Sequence, residues 1–402
     1  MNNYLKVAIV GAVDSGKSTL IGRLLYESGS LHHGAANDVE NSCRLLGRDF
    51  EFAYLLDSFE EERRDQLTID TTQVCCKSKN GKEFIFIDVP GHRELIKNML
   101  CGASYADIAV LVMDILKPIE EQTKLHVLIL KLLGIKNIIL VLNKIDKVNF
   151  KESAFVESKK SIDKFFQSIG LEPGYCLAVS AKEGCNLVER SKETPWYQGL
   201  SLFKALDRYS ANLPDTHFCF STQDIYNIDG QKIAVGPIIS GRIAKGDTVK
   251  VLPSNRKSKI KTIRSFNKNK SKAAVPESVG LILDNMESIS RGCIISNSSI
   301  PKLATEIKVK IFCLVSLNIG QKVKIKCLNQ DVLGQINKIN RIWELEARPS
   351  SPEMMLENDA YFAEALITTD KPLITEQFKG SNSLGRFILE NDKEICAVGI
   401  IS

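Results

Sequence analysis

The chain has 402 residues, of which 44% are hydrophobic and 25% charged, a balance typical of a globular protein with two or three domains. Its net charge of +5 is small for this length and would not by itself attract nucleic acid, so the charge leaves the kind of partner open. We expect a cytoplasmic protein, because no signal-peptide pattern begins the chain and no apolar run approaches the ~20 residues of a membrane span. Eleven scattered cysteines without a C-x-x-C pair predict reduced thiols, with neither a disulfide framework nor a zinc site.

The region 1–212 alternates apolar strand-like runs with amphipathic helical stretches. The runs are short and rich in Val and Ile, as strands buried on both faces are: VAIV (7–10), FIFID (84–88), IAVLVMD (108–114), IILVLNKID (138–146) and CLAVS (176–180). Between two of them, residues 120–135 show helical spacing that ends at Gly134. The pattern predicts an α/β domain over 1–212, a mostly parallel sheet with helices on both faces.

From residue 213 onward the chain changes to alternating short strands separated by Gly and Asp-Gly turns, as in NIDGQKIAV and QKVKIKCL. This half is predicted to be all-β. The polar stretch SNSSIP interrupts the alternation near Ile300 and Pro301. We therefore expect two small barrel or sandwich domains, over 213–300 and 301–402.

The octapeptide GAVDSGKS (11–18) matches the phosphate-binding pattern G-x-x-x-x-G-K-[ST], and it lies between a predicted strand and a predicted helix. The glycines allow the backbone N–H groups to surround phosphate oxygens at the positive end of the helix. Lys17 is expected to reach the β and γ phosphates and Ser18 to bind Mg²⁺. The predicted phosphate-binding residues are Gly11, Ala12, Val13, Asp14, Ser15, Gly16, Lys17, Ser18 and Thr19.

A second motif, NKID, follows the strand IILVL at the edge of the sheet where open α/β folds bind ligands. Asp146 can accept two hydrogen bonds from the ring N–H and the exocyclic amine of guanine, which adenine would leave unmade. Asn143 and Lys144 belong to the same motif. Ser180, Ala181 and Lys182 follow the last strand and offer backbone N–H groups to the guanine oxygen. Together these residues predict that the nucleotide is GTP.

The third motif is DVPGH, which ends the strand FIFID. Asp88 is predicted to lie near Mg²⁺, and the segment Asp88, Val89, Pro90 and Gly91 to contact the γ phosphate and move when that phosphate is lost. His92 is the predicted catalytic residue, because a neutral imidazole there could orient the attacking water. Thr68 is expected to supply a second hydroxyl to Mg²⁺. The remaining histidines have no such context and are expected to be structural: His32, His33, His126 and His217.

With these motifs assembled, the chain resembles the translation-factor superfamily of GTPases over essentially its whole length. The resemblance is carried by GAVDSGKSTLIGRLL, DVPGHRELIKNM, the block from QTKLHV to NKID, and SAKEGCNLVERSKETPWYQGLSLFKALD. Within that superfamily it resembles the branch that holds elongation factor 1-alpha and the GTPase subunit of bacterial sulfate adenylyltransferase. The stretches GDTVKVLPSNRKSKIKTI, ESVGLILDNMESISRGCIIS and SLGRFILENDKEICAVGII look closer to the sulfate-activating subunit.

This resemblance implies a heterodimer in which a partner subunit transfers an adenylyl group from ATP to sulfate, while this chain binds and cleaves GTP with Mg²⁺. It also implies a glycine two residues before the switch threonine, where this chain has Gln66.

One alternative is a divergent GTPase with a role in specialised sulfation or an unrelated switch role. The main alternative is an elongation-factor-like carrier of aminoacyl-tRNA. Its local support is a basic run formed by Lys257, Lys259, Lys261, Arg264, Lys268, Lys270 and Lys272. The same run is also typical of a solvated strand face protected by lysines.

Overall fold

The computed structural model describes residues 4–30, 51–55, 73–89, 106–209, 217–228, 230–265, 268–298, 300–343, 361–378, 383–392 and 394–402. The chain divides into two compact units, Met1–Ala211 and Asn212–Ser402. Among the described residues, no helix is both long and apolar enough to cross a membrane.

The first unit is an α/β domain built on one six-stranded sheet. Its strands are β1 (Tyr4–Val10), β2 (Gln73–Lys77), β3 (Glu83–Asp88), β4 (Ile108–Asp114), β5 (Ile138–Asn143) and β6 (Tyr175–Ala178). Its helices are α1 (Lys17–Glu27), α2 (Glu121–Leu132), α3 (Glu152–Ser168) and α4 (Leu202–Arg208), and a 3-10 turn covers Ile145–Val148. The strand order is β2-β3-β1-β4-β5-β6, in which only β2 is antiparallel to its neighbour.

The burial of the central strands explains why the sequence shows continuous apolar runs there. Every residue of β4 and of β5 is buried, as expected of parallel strands that helices cover on both faces. Helix α2 ends at Leu132, and Gly134 then takes a positive φ of 69° and donates its N–H to the Lys131 carbonyl oxygen. The predicted α/β domain is therefore confirmed. Because β1, β3, β4 and β5 are parallel, the segments that follow them all leave the same edge of the sheet.

The second unit contains only strands and one short 3-10 turn among its described residues. Its first group of strands is β7 (Cys219–Ser221), β8 (Asp224–Ile228), β9 (Gln231–Ser240), β10 (Arg242–Ala244), β11 (Thr248–Leu252), β12 (Arg256–Ser265), β13 (Lys268–Lys270), β14 (Lys272–Ala274), β15 (Ser278–Leu283) and β16 (Ile294–Ser296). Its second group is β17 (Lys302–Cys313), β18 (Lys322–Cys327), β19 (Gln330–Trp343), β20 (Tyr361–Thr375), β21 (Arg386–Asn391) and β22 (Glu394–Ile401).

Each group forms a barrel. In the first, the order β11-β16-β7-β9-β15-β12 returns to β11 through the β11–β12 pairing. In the second, β17-β20-β19-β18-β21-β22 is closed by the β17–β22 pairing. Strands such as β18 alternate between buried and less buried residues, which places one face in the barrel interior. The predicted all-β half is confirmed, while the domain limits 1–212, 213–300 and 301–402 stay predictions.

Candidate nucleotide-binding site

The loop between β1 and α1 has backbone angles that bring it close to its neighbours. Gly16 has φ 92° and is the N-cap of α1, and Asp14 also has a positive φ, of 62°. A Cβ on Gly16 would lie 2.3 Å from the Asn143 side-chain nitrogen, and one on Gly11 would lie 2.2 Å from the Val112 carbonyl oxygen. Only glycine can occupy these two positions, because any side chain would collide with β4 or with Asn143 at the end of β5.

Lys17 is the first residue of α1, and its side chain reaches back to this loop. Its Nζ donates hydrogen bonds to the carbonyl oxygens of Gly11 and Ala12, each at 2.9 Å. Burial lowers the pKa of Lys17, and the negative charges of Asp88 and Asp14 offset part of that effect. The ammonium group is thus held between the loop and the end of β3, where a phosphate could replace the two carbonyl oxygens as its partner.

The other predicted residues of this segment differ in their burial. Val13, Ser18 and Thr19 are half-buried, and Asp14 is exposed. The Ser15 hydroxyl is buried and has no hydrogen-bond partner among the described residues. A buried hydroxyl without a partner is costly, so this loop is suited to a polar ligand such as a phosphate oxygen.

Asn143 joins this loop to the opposite side of the site. Its Nδ2 donates to the Ser15 carbonyl oxygen at 2.9 Å, and its Oδ1 accepts from the backbone N–H of Ala181 at 2.9 Å. The side chain is 2% exposed, so both bonds are shielded from water. Asn143 therefore fixes the distance between the phosphate-binding loop and the loop of Ser180, Ala181 and Lys182.

The rest of the NKID motif is positioned by two further contacts. The Ser180 hydroxyl donates to Oδ1 of Asp146 at 2.6 Å, which orients the carboxylate. Lys144 has a positive φ of 66°, and its Nζ lies 2.9 Å from Oδ2 of Asp114. Asp146 and Ser180 are thus brought together as the prediction of a guanine site requires.

The structure adds two residues that the sequence analysis did not select. Asp114 ends β4 directly beside Asn143 in the sheet register, and it pairs with Lys144. Asp114 follows a buried apolar run in the sequence, as Asp88 does, and this position could have identified it as a candidate site residue. Arg23 on α1 donates to the Lys182 carbonyl oxygen at 2.9 Å. The two residues are 159 positions apart, so no local pattern indicates their contact.

Arg23 has further partners that hold its guanidinium group in place. Its Nε donates to Glu27 Oε1 at 2.6 Å, and its guanidinium carbon lies 4.5 Å from the centre of the Phe52 ring. Gly184, two residues after Lys182, leaves room for this arrangement, since a Cβ there would lie 2.4 Å from the guanidinium group. Arg23 therefore connects the helix after the phosphate-binding loop to the predicted base-binding loop.

Several predicted site residues lie outside the described part of the chain: Thr68, Pro90, Gly91 and His92. Gln66, which stands where the resemblance implies a glycine, also lies outside it. Within the described part, Asp88 is half-buried at the end of β3, and the buried Val89 donates its N–H to the Ile9 carbonyl oxygen at 3.2 Å. The roles of Thr68 and His92 stay predictions.

Three family models match successive parts of the chain. Residues 2–212 match the family model of the elongation factor Tu GTP binding domain, residues 231–296 that of elongation factor Tu domain 2, and residues 305–402 that of the eEF1A C-terminal domain-like family.

Two curated relatives are nearly equally similar to the chain. Sulfate adenylyltransferase subunit 1 of Bacteroides thetaiotaomicron is 31% identical over 99% of this chain and 86% of that protein. Elongation factor 1-alpha of Methanocorpusculum labreanum is 31% identical over 99% of this chain and 96% of that protein.

Among solved structures, a bacterial selenocysteine-specific elongation factor superposes with a TM-score of 0.54 at 21% identity, covering 99% of this chain and 58% of that chain, and supports the fold. The family matches and the curated relatives carry more weight, since they extend over the motifs described above. The chain belongs to the translation-factor superfamily of P-loop GTPases, in the branch that holds elongation factor 1-alpha and sulfate adenylyltransferase subunit 1.

Proposed function

We propose that this chain binds and hydrolyses GTP with Mg²⁺ and acts as the GTPase subunit of a sulfate adenylyltransferase, paired with a catalytic subunit in the cytoplasm. The observation that carries the GTP part is the position of Asn143, which bonds to both the phosphate-binding loop and the loop beside Asp146. GTP would span these two loops, with its phosphates at the loop of Ser15 and its guanine base at the loop of Ser180 and Asp146.

Each residue has a separate part in this proposal. Lys17 would exchange its two carbonyl partners for phosphate oxygens, and Asp146 would accept from the guanine ring. Ser18, Thr68 and Asp88 would hold Mg²⁺, which neutralises phosphate charge when bound. His92 would orient the attacking water. The site has a buried cation, a nearby carboxylate and a buried hydroxyl without a described partner, which suits a magnesium-bound triphosphate.

The sulfate-activating role is supported by relatives in the same branch. Sulfate adenylyltransferase subunit 1 of Bacteroides fragilis is 32% identical over 99% of this chain. The bond between an adenylyl group and sulfate is costly to form, so the reaction gains from coupling to GTP hydrolysis. The segment after Asp88 would transmit this coupling, since loss of the γ phosphate removes its contacts.

Delivery of aminoacyl-tRNA is the second candidate function, because elongation factors 1-alpha are similar to the chain at nearly the same identity. The basic run on β12 to β14 is the surface this function would use. Lys257, Lys259 and Lys261 alternate with buried residues and are exposed on one face of β12. Two members of the run are paired with acids, Lys261 with Asp284 and Lys270 with Glu277, which lowers the charge available to RNA phosphates.

The deciding experiment reconstitutes the chain with an adenylyltransferase catalytic subunit and measures adenosine 5′-phosphosulfate formation with GTP. We expect GTP to increase product formation, and ATP with sulfate to increase GTP hydrolysis. With the Asp146→Asn variant, product formation should be stimulated by XTP in place of GTP. Such a change would show that the stimulation comes from the nucleotide bound to this chain.

A parallel measurement tests binding to aminoacyl-tRNA in the GTP state by gel shift at several salt concentrations. The sulfate-activating role is rejected if the catalytic subunit produces no mutual stimulation. The elongation-factor role is then favoured if tRNA binds tightly and loses affinity when Lys257, Lys259 and Lys261 are changed to Gln. GTP binding itself would be rejected by calorimetry that shows no heat of binding with folded protein.

A further inference from the structure

Three side chains of the second unit that come from distant parts of the sequence meet at one place. His217 lies two residues before Cys219 at the start of β7, and Glu376 directly follows β20. The His217 Nε2 and Glu376 Oε1 atoms are 2.8 Å apart, and one ligand atom of each of the three residues lies within 4.8 Å of the others. Among the described residues, this is the one group of three His, Cys or acidic side chains with such spacing.

All three side chains are shielded from bulk water. The His217 and Glu376 side chains are 13% and 11% exposed, and Cys219 is 1% exposed. Exposed acidic clusters are common on protein surfaces, but a largely buried nitrogen, thiol and carboxylate in contact is a different environment. Because bulk water is largely excluded from this place, it competes weakly with these three side chains for a bound ion.

The backbones that carry these side chains are held in place. The His217 carbonyl oxygen accepts from the Ser240 hydroxyl at 2.8 Å, and the next N–H, of Phe218, donates to Asn297 Oδ1 at 2.9 Å. The Glu376 N–H donates to the Leu384 carbonyl oxygen at 3.2 Å. Ligands on anchored backbone lose little freedom when they bind an ion, which favours affinity.

The distances are close to those of a tetrahedral metal site. With metal bonds of about 2.0 Å to N and O and 2.3 Å to S, neighbouring ligand atoms of tetrahedral zinc are roughly 3.5 Å apart. The His217–Glu376 distance would have to widen by well under 1 Å from 2.8 Å. The widest separation in the group is no more than 4.8 Å, so the thiol would move inward by about 1.3 Å at most. Rotation of side chains supplies such movements without a change of backbone.

We propose that His217, Cys219 and Glu376 form a zinc site in the second unit, with water as the fourth ligand. A nitrogen, a thiolate and a carboxylate together suit Zn²⁺ better than Mg²⁺ or Ca²⁺, which prefer oxygen ligands only. The carboxylate and the thiolate balance the two positive charges of the ion. The site joins β7 of the first barrel to the chain after β20 of the second barrel, so bound zinc would stabilise the pair of barrels.

Zinc binding must release a proton. Cys219 is 1% exposed, and burial favours the neutral thiol over the thiolate while no metal is bound. Forming the Zn–S bond breaks the S–H bond and sends the proton to solvent. The His217 Nε2 lone pair must face the ion, which leaves the ring proton on Nδ1. Affinity should therefore increase as the pH rises, and calorimetry in buffers of different ionisation enthalpy should count the released proton.

The test uses the untagged full chain without nucleotide. It is loaded with zinc sulfate, freed of excess zinc by gel filtration, and analysed for metal by mass spectrometry. We expect about one zinc per chain in the wild type and at least a tenfold lower content in Cys219→Ser and in Glu376→Gln. Thermal unfolding in excess Mg²⁺, with and without a zinc-selective chelator, should show a lower Tm with chelator for the wild type only.

Cys75→Ser is the matched control, because Cys75 is an exposed thiol beside Cys76 that could bind zinc on its own. Its zinc content should equal that of the wild type. Glu376→Gln keeps a hydrogen-bond acceptor for His217, so it remains informative if Cys219→Ser does not fold. The proposal is overturned if the wild type retains no zinc, or if the folded Cys219→Ser and Glu376→Gln proteins retain as much as the wild type. None of these readouts depends on GTP.

Discussion

The Asn143 side-chain nitrogen lies 2.9 Å from the Ser15 carbonyl oxygen, and it occupies the space that a side chain on Gly16 would need. The residue that begins the base-binding motif therefore also sets the shape of the phosphate-binding loop. We therefore expect a substitution in the phosphate-binding loop to displace Asn143, and a substitution of Asn143 to alter the phosphate-binding loop.

Gly16→Ala should weaken GDP and GTP binding by roughly tenfold to a hundredfold, because the new methyl group would displace Asn143. Titration with a fluorescent guanine nucleotide measures the effect. Gly170→Ala is the control, since Gly170 also has a positive φ, of 64°, but no atom lies within 4 Å of the place that its new methyl group would take. The Gly170→Ala protein should lose some stability and keep its affinity for guanine nucleotides. Equal losses of affinity in the two variants would contradict a role of the Gly16–Asn143 contact in nucleotide binding.

Asp146→Asn should lower GTP affinity by roughly a hundredfold or more and raise XTP affinity, because an amide N–H can donate to the xanthine oxygen that replaces the guanine amine. Competition between the two nucleotides measures the ratio. Asp163→Asn is the control, since Asp163 pairs with Lys159 on the outer part of α3. Unchanged GTP affinity in Asp146→Asn would remove this residue from the base site.

Arg23→Ala should increase the dissociation rate of GDP about tenfold, because the Lys182 carbonyl would lose its guanidinium partner and the base-binding loop would move more freely. Stopped-flow release of labelled GDP measures the rate. Arg190→Ala serves as the control, since Arg190 is exposed and bonds only to Gln198 among the described residues. A wild-type dissociation rate in Arg23→Ala would show that Arg23 does not position the loop.

His126 should make the protein less stable in acid. Burial and the nearby charge of Lys17 lower the pKa of His126 to about 4, and neither ring nitrogen has a hydrogen-bond partner in the described part of the chain. Since the unfolded chain binds this proton below about pH 6.5, unfolding is favoured as the pH falls from 6.5 to 4, by roughly 3 kcal/mol in all.

Denaturant unfolding at several pH values between 4 and 7 measures this dependence. His126→Leu removes the titrating group, so its stability should change less with pH than that of the wild type. Parallel pH profiles for the two proteins would mean that other groups cause the acid sensitivity.

His92→Ala should keep nucleotide affinity and slow GTP cleavage by roughly a hundredfold, because the attacking water would no longer be oriented. Single-turnover hydrolysis separates cleavage from binding. His92→Gln is a useful companion variant, since an amide can still hold a water. If His92→Ala cleaves GTP at the wild-type rate, His92 has no catalytic role.

The local parts of this protein are predictable from the order of its residues alone. A strand, the octapeptide from Gly11 to Ser18 and a helix follow one another without interruption, so the pattern contains the whole phosphate-binding loop. Asp88 and Asn143 were recognisable because each ends a buried apolar strand. The change to alternating residues after 213 likewise predicted an all-β half, since strand faces follow a period of two.

Which of these parts are in contact depends on how the whole chain packs. The order β3-β1-β4-β5 places Asn143 beside Ser15 across 128 positions, and the contact between the start of the first barrel and the chain after β20 of the second places Glu376 beside His217 across 159 positions. The periodicity of the sequence does not predict such contacts. Side-chain spacing determines which face of a strand is buried, but the neighbouring strand is determined by packing of the whole chain. Arg23 and His217 therefore became visible as candidate functional residues only after the fold was known.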